Sequence, residues 1–164
     1  MGVITRLRPM EEVVSELDPA DPLAVISCNN CVKVAGAVGE GVWETVCDEL
    51  KKRGFRLEDR VLITNPCSRG YQEDLRLSPA VKTVVMLACE GAQNAFSSLF
   101  PDLKLVTATE TLGLFVASKG DGVVKLMMPF PGHEDLKGRE FAFGNSRVML
   151  EDEKLVVGKQ EAET

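Results

Sequence analysis

The stretch Leu23-Ala24-Val25-Ile26-Ser27-Cys28 decides the fold. Every residue but Ser27 is apolar, so no alternation separates a wet face from a dry one. A short continuous apolar run of this kind reads as a strand covered on both faces, as strands of parallel sheets are. Similar runs follow at residues 60–65, 81–89 and 103–108. Helical patterns lie between them. One spans 42–53, with Val42, Trp43, Val46 and Leu50 inward and Gly54 as its C-terminal cap. Another spans 90–100, with Phe96 and Leu99 inward and Pro101 as its breaker. This alternation predicts an α/β domain: a mainly parallel, Rossmann-like sheet with helices on both faces and right-handed crossovers.

On the N-terminal side, residues 3–6 read as a short edge strand. Pro9 then opens an amphipathic helix over 10–17, with Glu11 and Glu12 in its first turn, and Asp18-Pro19-Ala20-Asp21-Pro22 stops it. Residues 29–41 form a loop rich in Gly and Asn, and 68–79 a polar segment with one helical turn around 71–75. From Gly122 onward the pattern changes to β-like runs at 123–128, 139–143, 147–150 and 155–157. Pro129, Pro131, Gly132 and Gly144-Asn145 separate them, which predicts a C-terminal antiparallel β appendage. The expected organisation is an α/β domain over 1–118, the appendage over 119–158, and a frayed tail over 159–164.

A chain of 164 residues is long enough to bury a core and normally makes one domain, with or without an appendage. A net charge of -6 argues against nucleic acid, whose phosphates call for clustered Lys and Arg. No apolar run approaches the roughly 20 residues needed to span a bilayer. The opening Met1-Gly2-Val3-Ile4-Thr5-Arg6-Leu7-Arg8-Pro9 holds no long apolar segment of the signal-peptide kind, so a cytoplasmic protein is expected. In that reducing compartment cysteines favour metal or redox chemistry over disulfides, and the odd count of five points the same way.

Four of those cysteines lie where predicted strands end. Cys28 closes the first run and Cys31 follows after Asn29 and Asn30; Cys67 closes Val61-Leu62-Ile63-Thr64-Asn65-Pro66-Cys67; Cys89 closes Val84-Val85-Met86-Leu87-Ala88-Cys89. The carboxyl ends of parallel strands share one edge, where ligands bind, so thiolates from three strands would meet there. Two-residue spacing lets Cys28 and Cys31 reach one metal from a tight turn. The same spacing serves thioredoxin-like redox sites, but those begin a helix, and here a loop of about ten residues is expected first. Cys67 or Cys89 alone would read as an ordinary buried thiol; their shared placement raises them to ligands. Cys47, in the middle of a helix, reads as packing. Four thiolates suit a 4Fe–4S cluster or Zn²⁺ equally.

Other signals are weaker. Gly36, Gly39 and Gly41 precede a helix and could approach a cofactor, though their order is not a dinucleotide fingerprint. With Asn29 and Asn30 they form the expected cofactor-binding and docking rim. His133 reads as a surface loop residue, Trp43 and Tyr71 as packing residues. Glu90 and Gln93 flank Cys89 at a helix start.

On these residues the chain resembles the small cysteine-rich subunit, or C-terminal domain, of bacterial methylenetetrahydrofolate reductases. The likeness begins at Val3-Ile4-Thr5-Arg6-Leu7-Arg8-Pro9-Met10-Glu11-Glu12-Val13 and continues at Cys28/Cys31. It is clearest at Leu87-Ala88-Cys89-Glu90-Gly91-Ala92-Gln93, similar to the family's Ala-Cys-Gly-x-Gly-x-Gln, and Thr111-Leu112-Gly113-Leu114-Phe115 resembles the strand region that follows. The resemblance implies an accessory subunit carrying a cysteine-bound zinc or iron–sulfur centre. It also implies docking on a flavin-containing TIM-barrel reductase subunit, or another redox subunit, and electron relay to it. Two departures stand out. A third family cysteine falls at Ala35, and no cysteine follows Cys89, so a second metal centre is not expected.

Three classes of function therefore compete: an electron-transfer subunit with one four-cysteine centre, a structural zinc protein acting as an assembly module, and a stand-alone enzyme using Cys28 or Cys31 as nucleophile. The last lacks an evident general base.

Overall fold

The computed structural model describes residues 2–34, 42–117, 123–142, 147–151 and 154–158. In chain order the strands are β1 (Gly2–Leu7), β2 (Leu23–Cys28), β3 (Leu57–Ile63), β4 (Thr83–Leu87), β5 (Lys104–Thr107), β6 (Thr109–Ala117), β7 (Val123–Pro129), β8 (Glu140–Ala142), β9 (Arg147–Glu151) and β10 (Lys154–Gly158). The helices are α1 (Met10–Ser15), α2 (Cys31–Val34), α3 (Val42–Lys52), α4 (Arg69–Glu73) and α5 (Glu90–Leu99).

A parallel sheet forms in the order β3-β2-β4-β5. β2 is one of its two inner strands, paired with β3 on one side and β4 on the other, and every residue of β2 and β4 is buried. Only strands covered on both faces tolerate such unbroken apolar composition. At the edge, β3 alternates between half-buried and exposed residues, leaving Leu62 48% exposed. α3 buries Val46, Cys47 and Leu50. It ends where Gly54, at φ +87°, lets the Phe55 N–H reach the Leu50 carbonyl at 3.1 Å and the Gly54 N–H reach Lys51 at 2.9 Å. That double bond with a buried Phe after it is the glycine-terminated stop expected there. Phe96 of α5 is fully buried and stacks on Phe100 at 4.7 Å between ring centroids.

The expected mainly parallel Rossmann-like sheet with helices on both faces, carrying a β appendage, is not what forms. A second sheet of equal strand number, all antiparallel, runs β1-β6-β7-β8. Among the described helices only α3 and α5 exceed six residues. β1 belongs to the antiparallel sheet, pairing Gly2 with Phe115 and Leu7 with Thr109. β7 and β8 continue that sheet beyond β6.

The physical reason lies in residues 109–117. Leu112 and Phe115 of β6 face a separate core with Ile4, Val124, Leu126 and Phe141. That core needs strands from both ends of the chain, because one strand's apolar side chains cannot cover themselves. Gly113 has no room for a side chain: a Cβ there would stand 2.3 Å from the Met128 carbonyl, and φ is +147°. Ala108 joins the sheets. Its N–H donates to Met86 of β4, and its carbonyl accepts from Arg8, just after β1, both at 2.9 Å. β9 and β10 form a two-stranded antiparallel hairpin. The tail at 159–164 lies outside the described residues. Among the described residues no helix is long and apolar enough to cross a membrane.

Candidate metal centre

The three inner and edge strands β3, β2 and β4 bring their carboxyl ends together, and each is followed by a cysteine. Cys28 is the last residue of β2, Cys31 the first of α2, Cys67 lies in the turn after β3, and Cys89 caps α5 just after β4. Cys28 and Cys89 are buried, Cys31 half-buried and Cys67 exposed. The thiols act on one another. The Cys28 and Cys31 thiols bear on each other, and a Cβ on Gly2 of β1 would stand 3.2 Å from Cys31 Cβ. The charge of Cys31 and that of Cys67 both reach Cys89, and that of Cys89 reaches Cys28.

The hydrogen bond from Cys28 brings the Cys31 thiol down to about 6, against the opposing effect of burial. Cys28, the donor, is pushed up by the same bond and by burial. Burial raises Cys89, resisted by N–H groups of Ala92 and Gly91. In metal-free protein, alkylation of Cys31 by iodoacetamide should thus rise with a midpoint near pH 6, below the ~8.5 of a free thiol. The sign follows from the bond: it stabilises the thiolate, so reactivity persists as pH falls and is lost below that midpoint. Peptide-resolved alkylation rates measure it, and a midpoint like that of a free thiol would remove the Cys28–Cys31 bond.

Side chains that the sequence reading passed over hold these segments. Thr109 Oγ1 accepts from the Ala88 N–H at 3.1 Å and donates to the Ala88 carbonyl at 2.6 Å. Thr111 Oγ1 accepts the Glu90 N–H at 2.9 Å. Two β6 residues thus bracket Cys89 from either side. Gln93 adds a bond from Nε2 to the Ala88 carbonyl at 2.9 Å, and Glu90 itself is exposed. Asn30 Nδ2 donates to Asn65 Oδ1, and fully buried Gln72 donates to the carbonyls of Pro66 and Ala92. No spacing signals such partners in the sequence, since each bond joins different elements.

The remaining candidates fall as follows. Asn29 and Asn30 are half-buried beside the cysteines; Asn29 Oδ1 is buried with no hydrogen-bond partner among the described residues. Gly36, Gly39 and Gly41 lie outside the described residues. Cys31 begins a short helix where a continuous loop is expected. Cys47 is fully buried in α3, and burial raises its thiol. Trp43 packs on the main core with the Arg60 guanidinium 5.2 Å from its ring, but Tyr71 is 55% exposed. The His133 side chain is 13% exposed, with Nε2 3.2 Å from Glu110 Oε1, rather than free on a surface loop.

The donor set suits a soft metal held by thiolates. Gly91 presents no side chain to it: a Cβ there would lie 3.7 Å from Cys67 Cβ and 3.9 Å from Cys89 Sγ, so any longer side chain would fill the space between them. Among the described residues no three or more His, Cys, Asp or Glu already stand in a metal-holding arrangement. Comparison with family models, with curated proteins and with solved structures returns no match.

Proposed function

We propose that this chain is a metal-bearing accessory subunit in which Cys28, Cys31, Cys67 and Cys89 hold one centre, a 4Fe–4S cluster, serving electron transfer. The observation that carries the reading is the placement of Cys28, Cys31, Cys67 and Cys89 at or after the carboxyl ends of three neighbouring parallel strands. Bound there, the cluster would supply a one-electron relay. The chain's own residues supply the rest. Buried Cys28 and Cys89 and the apolar ends of β2 and β4 exclude water, while exposed Cys67 places one edge of the centre at the surface. The partner is a flavin-containing, methylenetetrahydrofolate reductase-like TIM-barrel subunit or another redox subunit, as the resemblance at Cys28/Cys31 and at residues 87–93 implies. A reducing, cytoplasmic setting agrees with five free cysteines.

Anaerobic expression tests the reading. The protein should purify brown with stoichiometric iron and sulfide, bind a flavoprotein, and show no reductase turnover alone. Colourless protein with stoichiometric zinc would establish the structural zinc module instead. Protein with neither metal, or turnover by the isolated chain, would overturn the proposal.

A further inference from the structure

We infer that the side-chain amides of Asn30, Asn65 and Gln72 are positioning residues that clamp the Cys67 turn into the cysteine centre; this rests on reading the four cysteines as one centre. Cys67 differs from the other three. It is exposed, and it lies in a turn rather than at a strand end or helix cap, so the sheet does not place it. The turn before it, Asn65-Pro66, is gripped from two sides. From the Cys28–Cys31 side, Asn30 Nδ2 donates to Asn65 Oδ1. From the Cys89 side, Gln72 Nε2 donates both to the Pro66 carbonyl and to the Ala92 carbonyl, the latter at 3.1 Å. One amide group thus ties the Cys67 turn to the helix that Cys89 caps.

Two features mark this as more than packing. Gln72 is 1% exposed, on a helix whose other residues Arg69 to Glu73 are exposed; a buried amide is costly unless its bonds are made, and here Nε2 has two acceptors while Oε1 has no hydrogen-bond partner among the described residues. Asn65 adopts φ +52°, the sole described non-glycine residue with positive φ. Asn tolerates that conformation better than most residues. Here it aims the side chain that meets Asn30. The three amides therefore link all three cysteine-bearing segments, the arrangement by which outer partners orient metal ligands.

Cobalt(II) titration of the apo full-length chain tests this, because thiolate-to-cobalt absorption reports how many thiolates bind. Wild type should give a four-thiolate spectrum. Gln72→Met, which keeps the volume and removes the donors, and Asn30→Ala, at a half-buried site, should each weaken cobalt binding by about 10–100-fold and lose one thiolate's worth of absorption. Unfolding midpoints taken on the same samples separate this from loss of fold. A folded variant of either kind with wild-type affinity and a four-thiolate spectrum would overturn the clamp. Wild type that binds no cobalt through thiolates would instead overturn the centre itself.

Discussion

Cys89→Ser is expected to abolish metal binding by the native chain, a larger loss than any other single cysteine change. Cys89 is the N-cap residue of α5, and a Cβ on Gly91 would stand 3.9 Å from its sulfur and 3.7 Å from Cys67 Cβ. Removing its sulfur takes away the ligand that follows β4. The fall in affinity should exceed the roughly 10–100-fold typical of changes to a ligand's outer partners. Cys28→Ser, Cys31→Ser and Cys67→Ser should each lower bound metal as well. Cys47→Ser, inside α3, should leave it unchanged. Metal content by elemental analysis, normalised to folded protein, reads the series. Full retention in Cys89→Ser would remove the centre from this edge of the sheet.

A chain ending at residue 118 is expected to lose both most of its stability and its metal. Sequence reasoning treats residues from 119 onward as a separate appendage whose removal spares the centre. The antiparallel sheet reverses that expectation. Truncation removes Val124, Leu126 and Phe141, the cover over Ile4, Leu112 and Phe115. Each such side chain contributes about 1.5–3 kcal/mol on full burial. The loss is then on the order of 5 kcal/mol or more, against a total of about 5–15 kcal/mol for a typical domain. The damage reaches the centre through β6, whose Thr109 and Thr111 bracket Cys89, and through β1, where a Cβ on Gly2 would stand 3.2 Å from Cys31 Cβ. Urea unfolding and metal analysis of the truncated chain measure both effects. A truncated protein with the full-length midpoint and full metal would show that the two sheets are independent.

The two halves of the chain were legible to different degrees, for one reason. The parallel sheet forms from strands that are short, apolar and separated by local stop signals, and the runs at β2 and β4 carry that information in their own composition. The positions of Cys28 and Cys89 on the common edge were legible for the same reason, since a cysteine at or just past the end of a parallel strand is carried there by topology. β1 was legible as a strand but not as a member of the second sheet. Its partner β6 starts 102 residues beyond its own last residue, at Thr109 opposite Leu7, and a period-two pattern does not name its partner. β6 itself carried little signal of its own, with Thr and Glu in its first half and Gly113 within it.

Local sequence encodes the apolar strands of the parallel sheet, the helices α3 and α5, and the place of Cys28 at the end of β2 and of Cys89 just after β4. These follow from local composition and chain direction. Only the folded chain decides that β1, β6, β7 and β8 build a second sheet, that β6 braces Cys89, and that Asn30, Asn65 and Gln72 hold the turn before Cys67. Those are hydrogen bonds and apolar contacts between distant segments. Their partners are chosen by which buried groups must be covered or paired once the chain has folded, and no local pattern encodes that choice.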